Sequence, residues 1–269
     1  MTIASVRKNL RLYFKLQLMQ LRSTVEYAAD FWIGILGAML MQASGLVFIT
    51  ALFSQIPAIA GWTVWNIALM YGLAMLPKGL TELFCDGPWM LRSKVNSGEF
   101  DRVLVRPVSP ALQSATAIVS IHGLGQVILG IVLIAIGLTR SEAALHWWSL
   151  PYLAMVVISS AIMIGALNFV FNMTGFWEPS AQSALPTMMA LMIDFAKFPL
   201  DIYNNVIRGF VVIVIPYAFV SYFPALVLLD RDSSWKWLGF TTPLATLWVV
   251  MVTSWLWSKA LNRYQGVGH

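Results

Sequence analysis

Ser97-Gly98-Glu99-Phe100-Asp101-Arg102-Val103-Leu104-Val105-Arg106-Pro107 places four charged side chains between two long apolar runs. Charges at this density do not lie in hydrocarbon, so the stretch belongs at a water boundary. There it can touch a soluble partner. Ser97 is a suitable N-cap for a helix starting near Gly98, and Glu99 and Asp101 suit the positive end of its dipole. Arg102 and Arg106 follow at i,i+4 spacing, Phe100, Val103 and Leu104 form an apolar face, and Pro107 ends the helix. The spacing therefore predicts a short rigid helix with an apolar knob and a charged rim, able to seat in a groove of another protein.

The flanking composition fixes the setting. The chain of 269 residues is 59% hydrophobic and 11% charged, with a mean hydropathy of +0.74. A soluble domain carries about 25% charged residues, so these residues do not make a water-facing surface. The apolar residues come in blocks near the ~20 needed to cross a bilayer as a helix. The predicted spans are about 31–53, 62–83, 111–138, 150–171, 183–202 (tilted or broken near Pro199) and 241–260, with the charged loop over 86–110. Residues 206–229 contain Arg208, Pro216 and Pro224, and each internal proline removes a helical hydrogen bond. This outer segment, 203–230 with its flanks, is expected to dip into the membrane as two half-helices and return.

Residues 5–27 predict an amphipathic helix lying in the interface, with Arg7, Lys8, Arg11, Lys15 and Arg22 on one side. The first apolar run follows this basic segment with no cleavage-like site after it, so the chain is expected to insert through its own spans. Six spans put both termini on one side. The N-terminus, the charged loop and the C-terminus hold most cations of a chain with net charge +5, which predicts that all three are cytoplasmic. The loop carrying Arg140, Glu142, Trp147 and Trp148 falls opposite, where tryptophans suit a headgroup belt. The fold class is thus an all-α integral membrane protein forming one domain over 1–269.

Ionisable residues inside spans are candidate functional groups. Asp194 and Lys197 at i,i+3 form either a structural pair or a polar pathway wall, and Lys78 and Glu82 at i,i+4 can pair as well. Glu178 falls in the turn after the fourth span, as a solvated acid or a second cytoplasmic contact. His122 reads as a packing residue, and Gln42, Asn66, Gln126 and Asn168 are placed to bridge helices. Cys85 is the single cysteine, and no Cys/His cluster has metal-ligand spacing. The Asn172-Met173-Thr174 sequon falls at a span end and is read as chance.

Gly98-Glu99-Phe100-Asp101-Arg102-(x)3-Arg106-Pro107 resembles the GxFDxxLxRP pattern that follows the second span in bacterial ABC-2 type transporter permeases. The resemblance extends to the whole plan of amphipathic helix, six spans and irregular segment before the last span. It implies a transport subunit that is not itself an enzyme, in the bacterial inner (plasma) membrane. Glu99, Phe100, Asp101, Arg102, Arg106 and Pro107 would couple it to a separate ATP-binding subunit, present in two copies and holding ATP and Mg. It also implies a second permease, the same chain or a sister, and export as the usual direction. The chain itself has no Gly-(x)4-Gly-Lys-[Ser/Thr] phosphate cradle, and no cofactor, metal or nucleic acid is expected on it. Apolar, Met-rich spans suit a hydrophobic or amphipathic cargo such as a drug, a lipid or a glycan-linked compound. Two other classes compete: an ion-coupled secondary transporter using Glu82, Asp194 or Lys197, and an intramembrane enzyme acting on lipid. The first usually shows paired broken spans, and the second needs a clustered nucleophile and base. Neither pattern is found in the sequence.

Overall fold

The structure is a computed structural model that describes residues 3–25, 28–141, 143, 146–178, 187–188 and 191–264, with side chains described from Arg11 to Arg22 and from Trp32 onward within those ranges. Glu142, Tyr27 and residues 183–186 and 189–190 of the predicted fifth span lie outside them.

Helix α1 (Ile3–Val25) precedes the first membrane-length helix, α2 (Ala28–Gln55). Gln17 of α1 donates to the Phe84 carbonyl at 2.6 Å, and the Tyr13 hydroxyl donates to the same oxygen. That carbonyl lies in the last turn of α3 (Val64–Cys85), where helix geometry leaves acceptors unpaired. Between α2 and α3 the chain reverses at Ala60-Gly61, both with positive φ, and Ile59 and Trp62 exchange backbone hydrogen bonds across the turn. This is the primed turn geometry that glycine favours.

Three further helices reach membrane length: α7 (His122–Arg140), α8 (Ser149–Asn172), which runs on into a 3-10 turn, and a final one, α11 (Thr242–Arg263), which a 3-10 turn precedes. With α2 and α3 they make five helices long and apolar enough to span, and up to six if the bent pair Asn205–Val214 and Tyr217–Leu228 counts as one. Their outer faces carry Leu40, Phe48, Leu150 and Leu244 at more than half exposure, the pattern of a lipid-facing surface.

Helices α3 and α7 form the tightest pair, and glycines make this possible. A Cβ on Gly79 would stand 2.6 Å from the Gly123 carbonyl oxygen, and one on Gly130 would stand 2.8 Å from the Leu76 backbone nitrogen. Backbones approach this closely in membranes through small residues, which gain packing area without a hydrophobic driving force. Gly72 and Gly79 are seven residues apart, as are Gly123, Gly130 and Gly137. The seven-residue period keeps one face of each helix on the seam.

Two of the predicted spans are not continuous helices, the third against expectation and the fifth with the break expected near Pro199. The predicted third span is not one helix. Pro110–Ala115 forms its own short helix, α6, and residues 116–121 run irregularly before α7 begins. There the Ser120 N–H donates to the Glu82 carbonyl at 3.1 Å, tying the irregular stretch to α3. The predicted fifth span, where described, is helical at 187–188 and 191–192 and then forms two 3-10 turns, Ile193–Lys197 and Leu200–Ile202, with extended backbone at Phe198 and Pro199 between them. The break near Pro199 is the one its ring imposes.

Hydrogen bonds place the ends of each crossing. Glu178 lies beside Arg92, Phe100 beside Tyr264, and α1 on Phe84, so these groups share one end of the fold. Trp62 lies at the other end, where its indole N–H donates to Asp201 at 2.9 Å. The chain therefore passes from one end to the other between Glu178 and Asp201. The bent pair contains α9 (Asn205–Gly209), a π turn over Phe210–Val214, and α10 (Tyr222–Leu228), with a 79° bend. It starts just after Asp201 and ends just before Arg231, and both of those residues touch Trp62. Pro216 marks the bend. Pro224 sits in the first turn of α10, where a missing N–H breaks no bond. Tyr217, Ala218, Val220 and Phe223 are at most 2% exposed, so the irregular backbone is covered by protein.

Candidate functional site

The charged loop folds as a platform at the end of α3. After Asp86 the chain makes a 3-10 turn over Gly87–Met90, then α4 (Leu91–Asn96) and α5 (Phe100–Leu104). A Cβ on Gly87 would stand 1.9 Å from the Ser114 carbonyl oxygen, so the loop presses backbone to backbone on α6. From α6, the Gln113 amide donates to the carbonyls of Val103 and Val108 at 2.9 and 2.8 Å and holds the exit of α5 in place.

Ser97 does not cap α5. It ends α4, with its N–H on the Ser93 carbonyl, and Gly98 follows at φ +73°, so the stretch reads as a helix stop. Glu99 occupies the N-cap position of α5 without a side-chain cap bond.

Phe100, expected on the outward apolar face, is fully buried within the chain. Its ring makes edge contacts with Phe176 and Tyr264 at 5.1 Å each and with Trp257 at 6.4 Å. Phenylalanine has no polar atom to satisfy, and three aromatic edges are more favourable for it than water. Val103 is buried in the same cluster. The outward apolar surface is instead Leu104 and Val105, the latter 82% exposed. Glu99, Arg102, Arg106 and Pro107 are exposed around it, and Asp101 is half-buried. Burial pulls the Lys94 ammonium below the ordinary lysine range, with Glu99 opposing and Arg106 adding to the shift.

Arg92 fastens the platform to α8. It is buried, donates to the Glu178 carbonyl at 2.8 Å and reaches the Thr174 hydroxyl at 3.4 Å. A Cβ on Gly175 would stand 2.9 Å from the Arg92 side chain, so that glycine makes room for it. The exposed Glu178 is thereby brought beside the charged loop. Nothing in the spacing of the sequence pointed to Arg92, because its partners are a backbone carbonyl and a residue far along the chain.

Above the platform a cavity of about 680 Å³ opens between α2, the α3–α7 pair and α8. Its α2 wall is mostly apolar: Ile33, Gly34, Gly37, Ala38 and Met41. Its floor is polar. Lys78 and Glu82 pair at 3.9 Å, and the Gln126 amide donates to both Glu82 oxygens at 2.9 Å, linking α7 to α3 as expected of a bridging glutamine. Asp86 accepts from the Ser120 hydroxyl, and Trp89 and His122 complete the floor. His122 is exposed to this space, so it is a lining residue and not a core one. Tyr217, beside the bend of the α9–α10 pair, reaches the far wall.

Asp194 and Lys197 pair at 2.6 Å. Lys197 is buried and its ammonium also stands 4.7 Å from the centre of the Tyr71 ring, with Gln42 at 3.5 Å. Gln42 accepts from the Tyr71 hydroxyl at 3.3 Å and so bridges α2 and α3. Asn168 lines the cavity, and Asn66 stays near the N-cap of α3, its N–H on the Thr63 hydroxyl. Among the described residues no group of three His, Cys, Asp or Glu side chains is arranged to hold a metal.

A helical chain with five to six membrane-length helices and a charged loop after the second defines a multi-pass membrane protein. The family model described as ABC-2 family transporter protein matches residues 39–268. The chain belongs to that family, a family of membrane transport subunits that work with ATP-binding subunits. No curated protein gives a match to the chain.

Proposed function

We propose that the chain is the permease subunit of an ATP-driven exporter and that the platform formed by α4 and α5 docks a separate ATP-binding subunit. The observation that carries this reading is the division of labour in the loop. Phe100, Val103 and Arg92 face inward and hold its shape, while Glu99, Arg102, Leu104, Val105, Arg106 and Pro107 face water. A rigid surface with an apolar centre and a charged rim suits a protein groove, with the rim selecting the partner and the centre supplying affinity. Phe100 acts as a positioning residue under this surface, and Asp101 sits at its edge. Glu178 extends the same face.

The positive-inside rule puts this end, with both termini, in the cytoplasm, where ATP is found. ATP and Mg then belong to the partner, in two copies. Six crossings enclose half a pathway, so a second permease, identical or related, completes it. The α9–α10 pair becomes an outer re-entrant element, with Tyr217 closing the cavity from the far side. The inner membrane of a bacterium is the setting that the family likeness supports. The ion-coupled alternative has less support: Glu82 is engaged with Lys78 and Gln126, Asp194 with Lys197, and among the described residues no ion pair joins the two groups.

The test is co-purification of the full chain with the ATP-binding subunit produced by the same cells. Val105→Asp combined with Arg106→Glu should abolish capture while the chain still inserts and elutes as a single species. Undiminished capture and transport by this variant would refute the docking assignment.

A further inference from the structure

The cavity above the platform is of the size that holds a drug-like molecule, at about 680 Å³. Its charge balance is uneven. Its charged lining residues are one cation, Lys78, and two carboxylates, Glu82 and Asp86. Lys78 and the Gln126 amide are committed to Glu82. Asp86 is only 8% exposed, and its described side-chain hydrogen bond comes from a neutral hydroxyl, that of Ser120. None of the ion pairs among the described residues includes it. His122 and Lys78 favour the charged form of Asp86 only from beyond ion-pair distance, so a cation that enters the cavity and meets this carboxylate directly relieves its loss of water. Trp89 lines the same floor and offers an aromatic face to a cation. The α2 wall has no charge at all.

We propose that this cavity is a binding site for an amphipathic organic cation, with the positive group at Asp86 and Trp89 and the apolar body against Gly37, Ala38 and Met41 of α2. As a cargo site it rests on the permease reading above, whereas binding itself requires neither nucleotide nor partner. Anions of the same shape are disfavoured, because the floor carries two carboxylates, Glu82 and Asp86, against one lysine. The floor is shared with the platform, since Asp86 and Trp89 are the residues by which α3 passes into the docking loop.

The experiment uses the full chain in lipid nanodiscs, with tetraphenylphosphonium and tetraphenylborate as ions of matched shape and opposite charge. Binding is measured by equilibrium dialysis, and uptake by empty nanodiscs is subtracted. The phosphonium should bind saturably and the borate should not. Asp86→Asn should weaken phosphonium binding at least tenfold. Gly37→Phe should abolish it by filling the cavity. A Cβ at Gly37 meets nothing within 4 Å, so that variant keeps the fold even where Asp86→Asn does not. Phosphonium binding indifferent to Gly37→Phe, or saturable borate binding of equal strength, overturns the site. The two readings fail separately. Capture of the ATP-binding subunit without selective cation binding sinks the site alone, and cation binding without capture sinks the permease reading alone.

Discussion

The Arg231 guanidinium lies over the Trp62 indole, 4.1 Å from the ring centre, while the edge of the same indole donates to Asp201. One side chain thus holds both ends of the α9–α10 segment. Arg231 also donates to the Gly61 carbonyl at 3.1 Å, in the tight turn beside Trp62, and Tyr222 from α10 donates to Asp201. A cation over a ring contributes about 0.5–2 kcal/mol, and a hydrogen bond about 1 kcal/mol. Arg231→Met should therefore cost about 1–3 kcal/mol locally. Hydrogen exchange across 205–228 should quicken several-fold, with α7 unchanged. Equal protection in both proteins would show that Trp62 does not hold this segment.

The two faces of the platform should respond differently to substitution. Phe100→Ala removes a buried ring and should destabilise the chain by about 3–5 kcal/mol, the usual cost of such a cavity. It should lower the melting temperature and loosen Tyr264 and Trp257. Arg106→Glu at an exposed position should leave melting within experimental scatter and act on association with the ATP-binding subunit. A melting loss from Arg106→Glu as large as that from Phe100→Ala would contradict the assignment of inward and outward faces.

The α3–α7 seam should tolerate no side chain. Gly123→Val puts a branched group where even a bare Cβ would stand 2.5 Å from the Gly79 carbonyl oxygen, so the helices must part. Overpacking typically costs about 1–3 kcal/mol, and a backbone contact gives the upper end. The control is Gly37→Ala, where space is open and helix propensity improves by about 0.5–1 kcal/mol. Thermal unfolding in detergent should show a fall for the first and no fall for the second.

In the loop before α11, hydrogen bonding and charge from Lys236 hold the Asp230 carboxyl below the usual carboxylate range. The depressed value means that this pairing favours the folded loop above the unfolded carboxyl range, about pH 4, and is lost as pH falls through the lower folded value. Lys236→Met should raise amide exchange near Asp230 at pH 6 and make no difference once Asp230 is protonated. A difference that persists in strong acid would place the effect elsewhere.

The helical class, most of the membrane-length helices and the bend within 206–229 were legible because a bilayer imposes its own length and polarity on a sequence. The predicted pairings of Lys78 with Glu82 and of Asp194 with Lys197 follow from helical spacing alone, and both form. What local reading missed depends on residues far apart. Phe100 looked outward-facing because its partners, Trp257 and Tyr264, lie in the last helix and just beyond it. Ser97 looked like a cap because local preference does not say which of two adjacent helices it serves. The continuous apolar pattern of 111–138 hid the break at 116–121, which is set by contact with α3. The seven-residue glycine spacing was on view in the sequence, and its meaning emerges only once α3 and α7 are seen to share a seam. The cavity floor combines Asp86 with Ser120 and His122 from another segment, which no local window contains.

Because α3 and α7 touch along their backbones, neither has room to slide or bend independently of its neighbour. They form a single post with the α4–α5 platform at its foot. A tilt imposed at the foot is delivered undamped to Lys78, Glu82 and Gln126 higher up, while the more loosely held α2 stays behind. The chamber would then change width in step with whatever grips the post, as the jaws of a wrench follow its handle.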